Sequence, residues 1–398
     1  MTTPPSSCRS LLQGMVAVDS INEHLSNRRC PEAELGEYLE EICKIFDLSA
    51  ARLPVDDFGS FNLIVTCRTE SDRPWLLFES HMDTVGIEGM TIAPFEAEID
   101  GGRLYGRGSC DTKASGAAML WALRRYSASG EAVNNIALLF TVDEESTKRG
   151  ITSFVDRQLH DLQIRPAGAI VGEPTNLRPV VAHCGVARFC IRTHGVAAHS
   201  SNPANGRSAI RMMVQVIEAL ESGYIARLQA SHPLIGPAQC SINIIRGGTA
   251  INIVPDECEI WIDRRVIPGE DPENVMVNVE KVLAPLGKEN PDFSYSFADS
   301  RVDFPLDPAG GQRFISSVCD VLSPLGLPNE PVGAGFGSDG STLARTGIPV
   351  VLLGPGDIAQ AHSEAEYVEL DELDSAVEAY FALMCSSLIR PSARGTHG

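Results

Sequence analysis

The sequence has no apolar run that approaches the roughly 18 to 20 residues needed to cross a membrane. Its first residues, MTTPPSSCRS, lack the basic segment and apolar stretch that mark a secretory signal. The eleven cysteines include no Cys-x-x-Cys pair, and such a scattered, odd-numbered set indicates reduced thiols rather than a disulfide framework. These absences predict a cytoplasmic protein with no membrane partner.

Basic residues are also scarce: 32 Lys and Arg stand against 52 Asp and Glu, which gives a formal net charge of -20. A nucleic-acid-binding surface needs a basic patch, and none is visible, so we expect no nucleic-acid partner. No GxGxxG opens the first βα unit and no Walker sequence is present, which disfavours a nucleotide or sugar enzyme. The excess acid fits three interpretations, namely carboxylate metal ligands, a cationic substrate or a solvated surface.

With 398 residues, the chain is longer than one compact domain usually is, and two domains are expected. Over the first 180 residues, short apolar runs such as Trp75 to Glu79 and Ile136 to Val142 alternate with helical stretches such as Lys113 to Tyr126. This βαβ rhythm predicts an α/β fold with a mainly parallel sheet flanked by helices.

The pattern changes near Cys184. From Val186 to Phe297 the chain reads as β-α-β-β-α-β, enough for an independent α+β sandwich, and the first pattern resumes near Val302. We therefore predict a small domain, residues 184–296, inserted into a larger domain formed by residues 1–183 and 297–398.

Clusters of polar residues follow the apolar runs, where open α/β sheets place their ligands. Each alone has a plain interpretation, such as a helix cap, a solvated turn or a structural histidine. Together they supply histidine and carboxylate ligands of the kind that Zn²⁺, Co²⁺ or Mn²⁺ prefers. The five segments are SHMDTV (80–85), GRGSCDTK (106–113), TVDEES (141–146), VGEPT (171–175) and QAHSE (360–364).

In this order, the five segments resemble the di-zinc amidohydrolase family that includes acetylornithine deacetylase, succinyl-diaminopimelate desuccinylase, aminoacylase and glutamate carboxypeptidase. The resemblance covers nearly the whole chain. It implies a zinc-peptidase-like α/β catalytic domain and an inserted ferredoxin-like domain that serves as lid and dimerisation surface. It also implies two divalent metal ions, with zinc expected and cobalt or manganese as alternatives.

The resemblance assigns roles to seven residues of the larger domain. They are His81 and Glu173 as ligands of the first metal, Glu145 and His362 as ligands of the second, Asp111 as the carboxylate that bridges both, Asp83 as the partner of His81, and Glu144 as the general base for a water molecule between the ions. It further implies that the peptide bond Asp111-Thr112 is cis.

In the inserted domain, the resemblance makes His199 a residue that stabilises the oxyanion in a partner subunit's site, which implies a homodimer. Asn252 and Arg265 match residues that hold the carboxylate or oxyanion of the substrate. Arginine suits this role because its guanidinium binds a carboxylate through two hydrogen bonds.

The expected reaction is hydrolysis of the amide bond of a small N-acyl amino acid, with N-acetylornithine first, succinyl-diaminopimelate second and a dipeptide or carboxypeptidase substrate third. Glu173, where peptidase relatives often carry Asp, favours a deacylase. Two departures, Thr112-Lys113-Ala114 after Asp111 and Gly337 before Ser338, leave the substrate contacts open. A non-catalytic relative is the alternative from another class.

Overall fold

Apolar runs and amphipathic stretches of the sequence become strands and helices in a computed structural model, which describes residues 3–388 except 71 and 132, and the side chain of 289. The helices are α1 (Cys8–Val16), α2 (Glu23–Ser26), α3 (Ala33–Ile45), α4 (Lys113–Ser129), α5 (Arg149–Ser153), α6 (Leu159–Asp161), α7 (Ala209–Gly223), α8 (Asn274–Glu289), α9 (Gln312–Leu322), α10 (Gly340–Ala344) and α11 (Leu370–Met384).

The strands are β1 (Ser49–Pro54), β2 (Phe61–Cys67), β3 (Trp75–His81), β4 (Ile99–Asp100), β5 (Arg103–Tyr105), β6 (Asn135–Thr141), β7 (Pro166–Val171), β8 (Val180–His183), β9 (Gly185–His194), β10 (Ala198–His199), β11 (Ser231–His232), β12 (Gly236–Pro237), β13 (Gln239–Gly247), β14 (Ile253–Val254), β15 (Glu257–Val266), β16 (Tyr295–Asp303), β17 (Val332–Ala334), β18 (Val350–Leu352) and β19 (Tyr367–Glu369). None of the helices in this part of the chain is both long and apolar enough to cross a bilayer.

The chain divides into two units. The large unit comprises residues 1–181, 308–332 and 338–398, and the small unit comprises residues 182–307 and 333–337. The predicted boundary at residue 296 is too early, because β16 begins at Tyr295 and continues to pair with β9 beyond a bulge between Ala298 and Arg301. The part of β16 after the bulge is mostly polar, so it has no apolar pattern that would predict a strand.

The large unit is built on an eight-stranded sheet in the order β1-β2-β6-β3-β7-β18-β8-β17. Its four central strands, β6, β3, β7 and β18, are mutually parallel. At the edges, β2 and β8 join the sheet antiparallel. The structure thus confirms the α/β class with a parallel centre and adds the antiparallel edges, which make the sheet mixed.

Helix α4 lies in the interior of the large unit. Its first turns, from Lys113 to Leu120, are buried on every side, as expected for a helix that is apolar around its circumference. Small residues such as Ala117 and Ala118 are fully buried and allow close approach of the neighbouring elements. The helix ends at Gly130, whose φ of 75° provides the left-handed cap that stops it.

The parallel strands bring the polar segments of the sequence to one edge. Strands β3, β6, β7 and β18 end at His81, Thr141, Val171 and Leu352, and the carboxyl ends of parallel strands lie at the same edge of a sheet. The loops that leave this edge carry the candidate ligands.

The small unit has a four-stranded antiparallel sheet in the order β13-β15-β9-β16. With α7 and α8 it follows the predicted β-α-β-β-α-β order. Phe189 and Ile191 of β9 and Ile260 of β15 pack with Val216 of α7 and Leu283 of α8 in its core. Alternate residues of β15 are buried, so one face of the sheet carries this core.

Candidate metal centre

A single carboxylate, Asp111, lies between two imidazoles. The Oδ1 atom of Asp111 is 3.1 Å from His81 Nε2, and its Oδ2 atom is 3.4 Å from His362 Nε2. His81 is the last residue of β3, whereas His362 follows β18. The peptide bond Asp111-Thr112 is cis, as the resemblance implied. Each oxygen of one carboxylate therefore faces a different nitrogen ligand, which is the arrangement that a bridge between two cations requires.

Further carboxylates surround this group. Glu145 Oε1 is 3.0 Å from His362 Nε2, and His81, Asp111 and Glu145 each offer a ligand atom within 4.8 Å of the others. Glu173, which follows β7, is 4% exposed. Glu144 is also buried, with its Oε1 atom 3.3 Å from Lys148 Nζ. The structure thus gathers the predicted ligands at one edge of the sheet, while their individual roles stay predictions.

The electrostatics of the site show a shortage of positive charge. Burial, followed by the charge of Asp111, raises the pKa of Glu145 to about 7 and the pKa of Glu173 well above its usual range. Hydrogen bonds to Asp111 and Glu145 raise the pKa of His362 to about 10. Burial opposes ionisation of Asp111, yet the hydrogen bonds from His362 and His81 hold its pKa below the usual range.

A raised pKa means that the ionised carboxylates of Glu145 and Glu173 are unfavourable without a nearby positive charge. Cations that replace their protons would supply that charge. The donor set of imidazole nitrogens and carboxylate oxygens is one that Zn²⁺, Co²⁺ and Mn²⁺ prefer. The residues present therefore fit a pair of divalent cations.

Asp83 plays a wider part than a partner of His81. The Nδ1 atom of His81 lies 2.9 Å from the backbone oxygen of Asp83 and 3.5 Å from its carboxylate, so the backbone makes the closer contact. The carboxylate accepts the backbone N–H groups of Glu144 and Glu145, each at 3.0 Å, and a side-chain N–H of Asn22 at 2.8 Å. It thereby holds the loop that carries the candidate base.

The sequence did not point to Glu366, which holds the loop that carries Asp111. Its buried carboxylate accepts the backbone N–H groups of Gly108, Cys110 and Asp111 at 3.1, 2.9 and 3.0 Å. The Arg107 guanidinium donates a fourth hydrogen bond at 2.6 Å. Glu366 stands four residues after His362 in the sequence.

The three predicted residues of the small unit fall into two places. His199 pairs with Ile253 across the β10–β14 ladder, and the Asn252 carbonyl accepts the N–H of Ser200 at 2.9 Å, so His199 and Asn252 are neighbours. Arg265 lies near the far end of β15, where it donates to Asp263 at 2.9 Å. Because β15 starts just after this ladder and rises about 3.3 Å per residue, roughly 25 Å separates the two places.

The model of "Peptidase family M20/M25/M40" matches residues 77–386. An acetylornithine deacetylase of Myxococcus xanthus is 29% identical over 372 residues, which are 92% of this chain and 93% of that protein. An acetylornithine deacetylase of Pectobacterium atrosepticum is 31% identical over 316 residues, 78% of this chain and 79% of that protein.

Among solved structures, the M20 family metallo-carboxypeptidase Sso-CP2 from Sulfolobus solfataricus superimposes with a TM-score of 0.78 at 18% identity. The superposition covers 94% of this chain and 97% of that one. At this identity the likeness concerns the fold.

Proposed function

The chain belongs to peptidase family M20/M25/M40 and is a metallohydrolase, and we propose that it removes the acyl group from a small N-acyl amino acid, with N-acetylornithine as the first candidate. The observation that carries the proposal is the carboxylate of Asp111, which presents one oxygen to His81 and the other to His362. The two relatives of about this length that are named acetylornithine deacetylase support the substrate class.

Two divalent cations, zinc first and cobalt or manganese as alternatives, would share Asp111. His81 and Glu173 would complete the first site, and Glu145 and His362 the second. Bound there, the cations supply Lewis-acid polarisation of the amide carbonyl and a lowered pKa of water.

Glu144 is the proposed general base. Its carboxylate takes a proton from the attacking water and returns it to the leaving amine, which keeps the amine from leaving as an anion. Lys148, itself hydrogen-bonded to the Ser338 carbonyl at 3.0 Å, keeps a positive charge beside that carboxylate. The backbone N–H of Glu144 is fixed by Asp83, so the base has a defined position.

Arg265 and Asn252 are proposed to hold the substrate carboxylate, and His199 to donate to the oxyanion. A preorganised donor of this kind stabilises the transition state by roughly 3 to 4 kcal/mol. The separation of His199 from Arg265 within one small unit favours the arrangement in which His199 serves the partner subunit's site.

A homodimer through the small unit is part of the proposal. The edge strand β13 exposes Ile244 and Ile245, and the adjacent helix α7 exposes Ile210 and Val214. An exposed apolar strand edge is a surface that another chain can cover. Light scattering should give the mass of a dimer for the wild type and of a monomer for Ile245→Glu. A wild-type monomer would remove this part of the proposal.

The experiment that tests the proposed function is a substrate panel: N-acetyl-L-ornithine, N-succinyl-diaminopimelate, an N-acetylated neutral amino acid and a dipeptide, assayed after loading with Zn²⁺ or Co²⁺. We expect the acetylated amino acids to be hydrolysed fastest and a chelator to stop the reaction. The variant Glu144→Ala should bind about two metal ions per chain and show no turnover.

Membership of a peptidase family makes peptide hydrolysis the second candidate function. Preference for the dipeptide in the panel would replace deacylation with this activity. Two bound ions without hydrolysis of any substrate would instead indicate a non-catalytic relative.

A further inference from the structure

A short segment near the start of the chain is hydrogen-bonded to the loop that follows β3. Ser20 Oγ donates to the Met82 carbonyl at 2.7 Å, and the N–H of Thr84 donates to the Ser20 carbonyl at 3.1 Å. The N–H of Asn22 donates to the Thr84 carbonyl at 2.9 Å. These bonds fix the backbone of Asn22 directly beside Asp83.

The side chain of Asn22 is fully buried and bridges two carboxylates. One N–H group donates to Asp83 Oδ2 at 2.8 Å and the other to Asp143 Oδ1 at 2.9 Å. Its oxygen accepts the N–H of His24 at 3.0 Å and so caps α2. Both donors of the amide are thus used on acids that flank the metal centre.

We propose that Asn22 is a positioning residue for Glu144. Asp83 receives the N–H of Glu144, and Asp143 is the residue that precedes Glu144, so the Asn22 amide ties together both structures that hold the base. A hydrogen-bond donor between these side chains is favourable because two buried carboxylates would otherwise repel each other. The proposal rests on the role of Glu144 in the proposed function.

The backbone of Asp143 shows why the loop needs an external tie. Its φ is 65°, in the left-handed region that residues other than glycine rarely adopt because of steric strain. Thr147 also contacts the Asp143 carboxylate, from within the same loop. Arg149 lies 3.5 Å from the same carboxylate and pairs with Glu23 and Asp56. Asn22 is, among the described residues, the side chain that hydrogen-bonds both Asp143 and Asp83.

Asn135 provides a matched control. It is also fully buried, its amide donates to the carbonyls of Glu70 and Arg73 at 2.7 and 2.9 Å, and its oxygen accepts the N–H of Thr69 at 2.8 Å. It lies at the first residue of β6, whereas the candidate base follows the last. Loss of its bonds should cost comparable stability without moving Glu144.

The experiment compares Asn22→Ala with Asn135→Ala in the full-length protein. Hydrogen exchange of peptides covering residues 142–146, measured without metal or substrate, should accelerate in Asn22→Ala alone. With two metals bound, kcat should fall about 10- to 100-fold in Asn22→Ala with KM unchanged, and Asn135→Ala should keep the wild-type kcat.

The variant Asn22→Asp separates the bridge from the helix cap. Aspartate caps a helix as well as asparagine does, but it cannot donate and adds a third negative charge. We expect a larger loss of kcat than in Asn22→Ala, whereas a capping role alone predicts recovery. If Asn22→Ala does not fold, Asn22→Asp and Asn135→Asp carry the comparison.

Equal exchange and equal kcat in the Asn22 and Asn135 variants would overturn the proposal, as would a kcat that excess metal restores. A wild-type protein that hydrolyses nothing would contradict the proposed function instead. In that case the exchange measurement still decides whether Asn22 holds the Glu144 loop.

Discussion

The acids at the metal centre of the large unit and an ion pair on the sheet of the small unit lie in different environments. In the large unit, Asp83, Asp111 and Glu173 are less than a tenth exposed, and acids outnumber the cations that could neutralise them. On the sheet of the small unit, Arg192 pairs with Glu259 on the neighbouring strand, and the arginine side chain is 36% exposed.

This difference distinguishes a buried ligand-binding site from a solvated protein surface. Buried acids without enough positive charge are unfavourable unless a ligand neutralises them, so they mark a site that binds something. Exposed cross-strand pairs are solvated and contribute little either way. Substitutions that each remove one charge should therefore affect activity or stability much more at the buried acids than at the exposed pair.

The largest effect is expected for Asp111→Asn. The substitution removes the charge that both cations would share, so metal content should fall below two per chain, and kcat should fall by more than the roughly 100-fold that outer residues cost. Metal analysis by mass spectrometry and the deacylation assay check both. The exposed Asp320→Asn on α9 is the control, and two tightly bound ions in Asp111→Asn would contradict the bridging role.

A large loss of stability is expected for Glu366→Gln. The amide cannot form the buried ion pair with Arg107, and breaking such a pair costs about 3 to 5 kcal/mol. Calorimetry should show Tm lower by roughly 6 °C or more. The control Glu369→Gln breaks the half-exposed pair with Arg103 and should change Tm little. Equal shifts in both variants would show that burial does not matter here.

A smaller, pH-dependent effect is expected for Glu32→Gln. Burial, followed by the charge of Asp83, raises the pKa of Glu32 from 4.5 to about 8. Between these values the folded protein keeps a proton that the unfolded chain has released, so wild-type stability falls as the pH rises. The variant has no such titrating group, so its stability does not fall in this way. The Tm of the variant minus the Tm of the wild type should therefore increase from pH 5 to pH 8.5. A constant difference would show that Glu32 titrates normally.

The smallest effect is expected for Arg192→Gln in the small unit. Loss of its pair with Glu259 should change the free energy of unfolding by about 0.5 kcal/mol or less, because water reaches the arginine side chain, which is 36% exposed. Added salt should remove even this difference. Denaturant titration at two salt concentrations measures it. A loss comparable to that of Glu366→Gln would erase the contrast between the units.

The sequence predicted the elements whose pattern is local. The apolar residues of Lys113 to Tyr126 predict a helix, and the structure confirms it and extends it to Ser129. Strand β1 and the second half of β16 were not predicted, since their exposed, polar residues lack an apolar period. Strand β1 pairs with β2, which has an apolar pattern of its own, and β16 pairs with β9, which is distant in sequence.

The same distinction applies to the site. His81, Asp111 and Glu145 follow motifs that can be read in the sequence, and the structure brings them together. Asn22 and Glu366 were missed because their partners are backbone N–H groups or acids 61 to 258 residues away. Hydrogen bonds to the backbone leave no mark on the pattern of residue types.

The carboxylate of Asp111 also contacts two histidines that lie far apart in the sequence. One of its histidines is translated before the small unit and the other after it, so a nascent chain that has completed residues 182–307 still lacks His362 and strand β18. With His362 as a proposed metal ligand, hydrolytic activity is expected only after the final stretch of synthesis. A product that ends before His362 retains His81 and Asp111, and we expect it to lack the proposed second metal site.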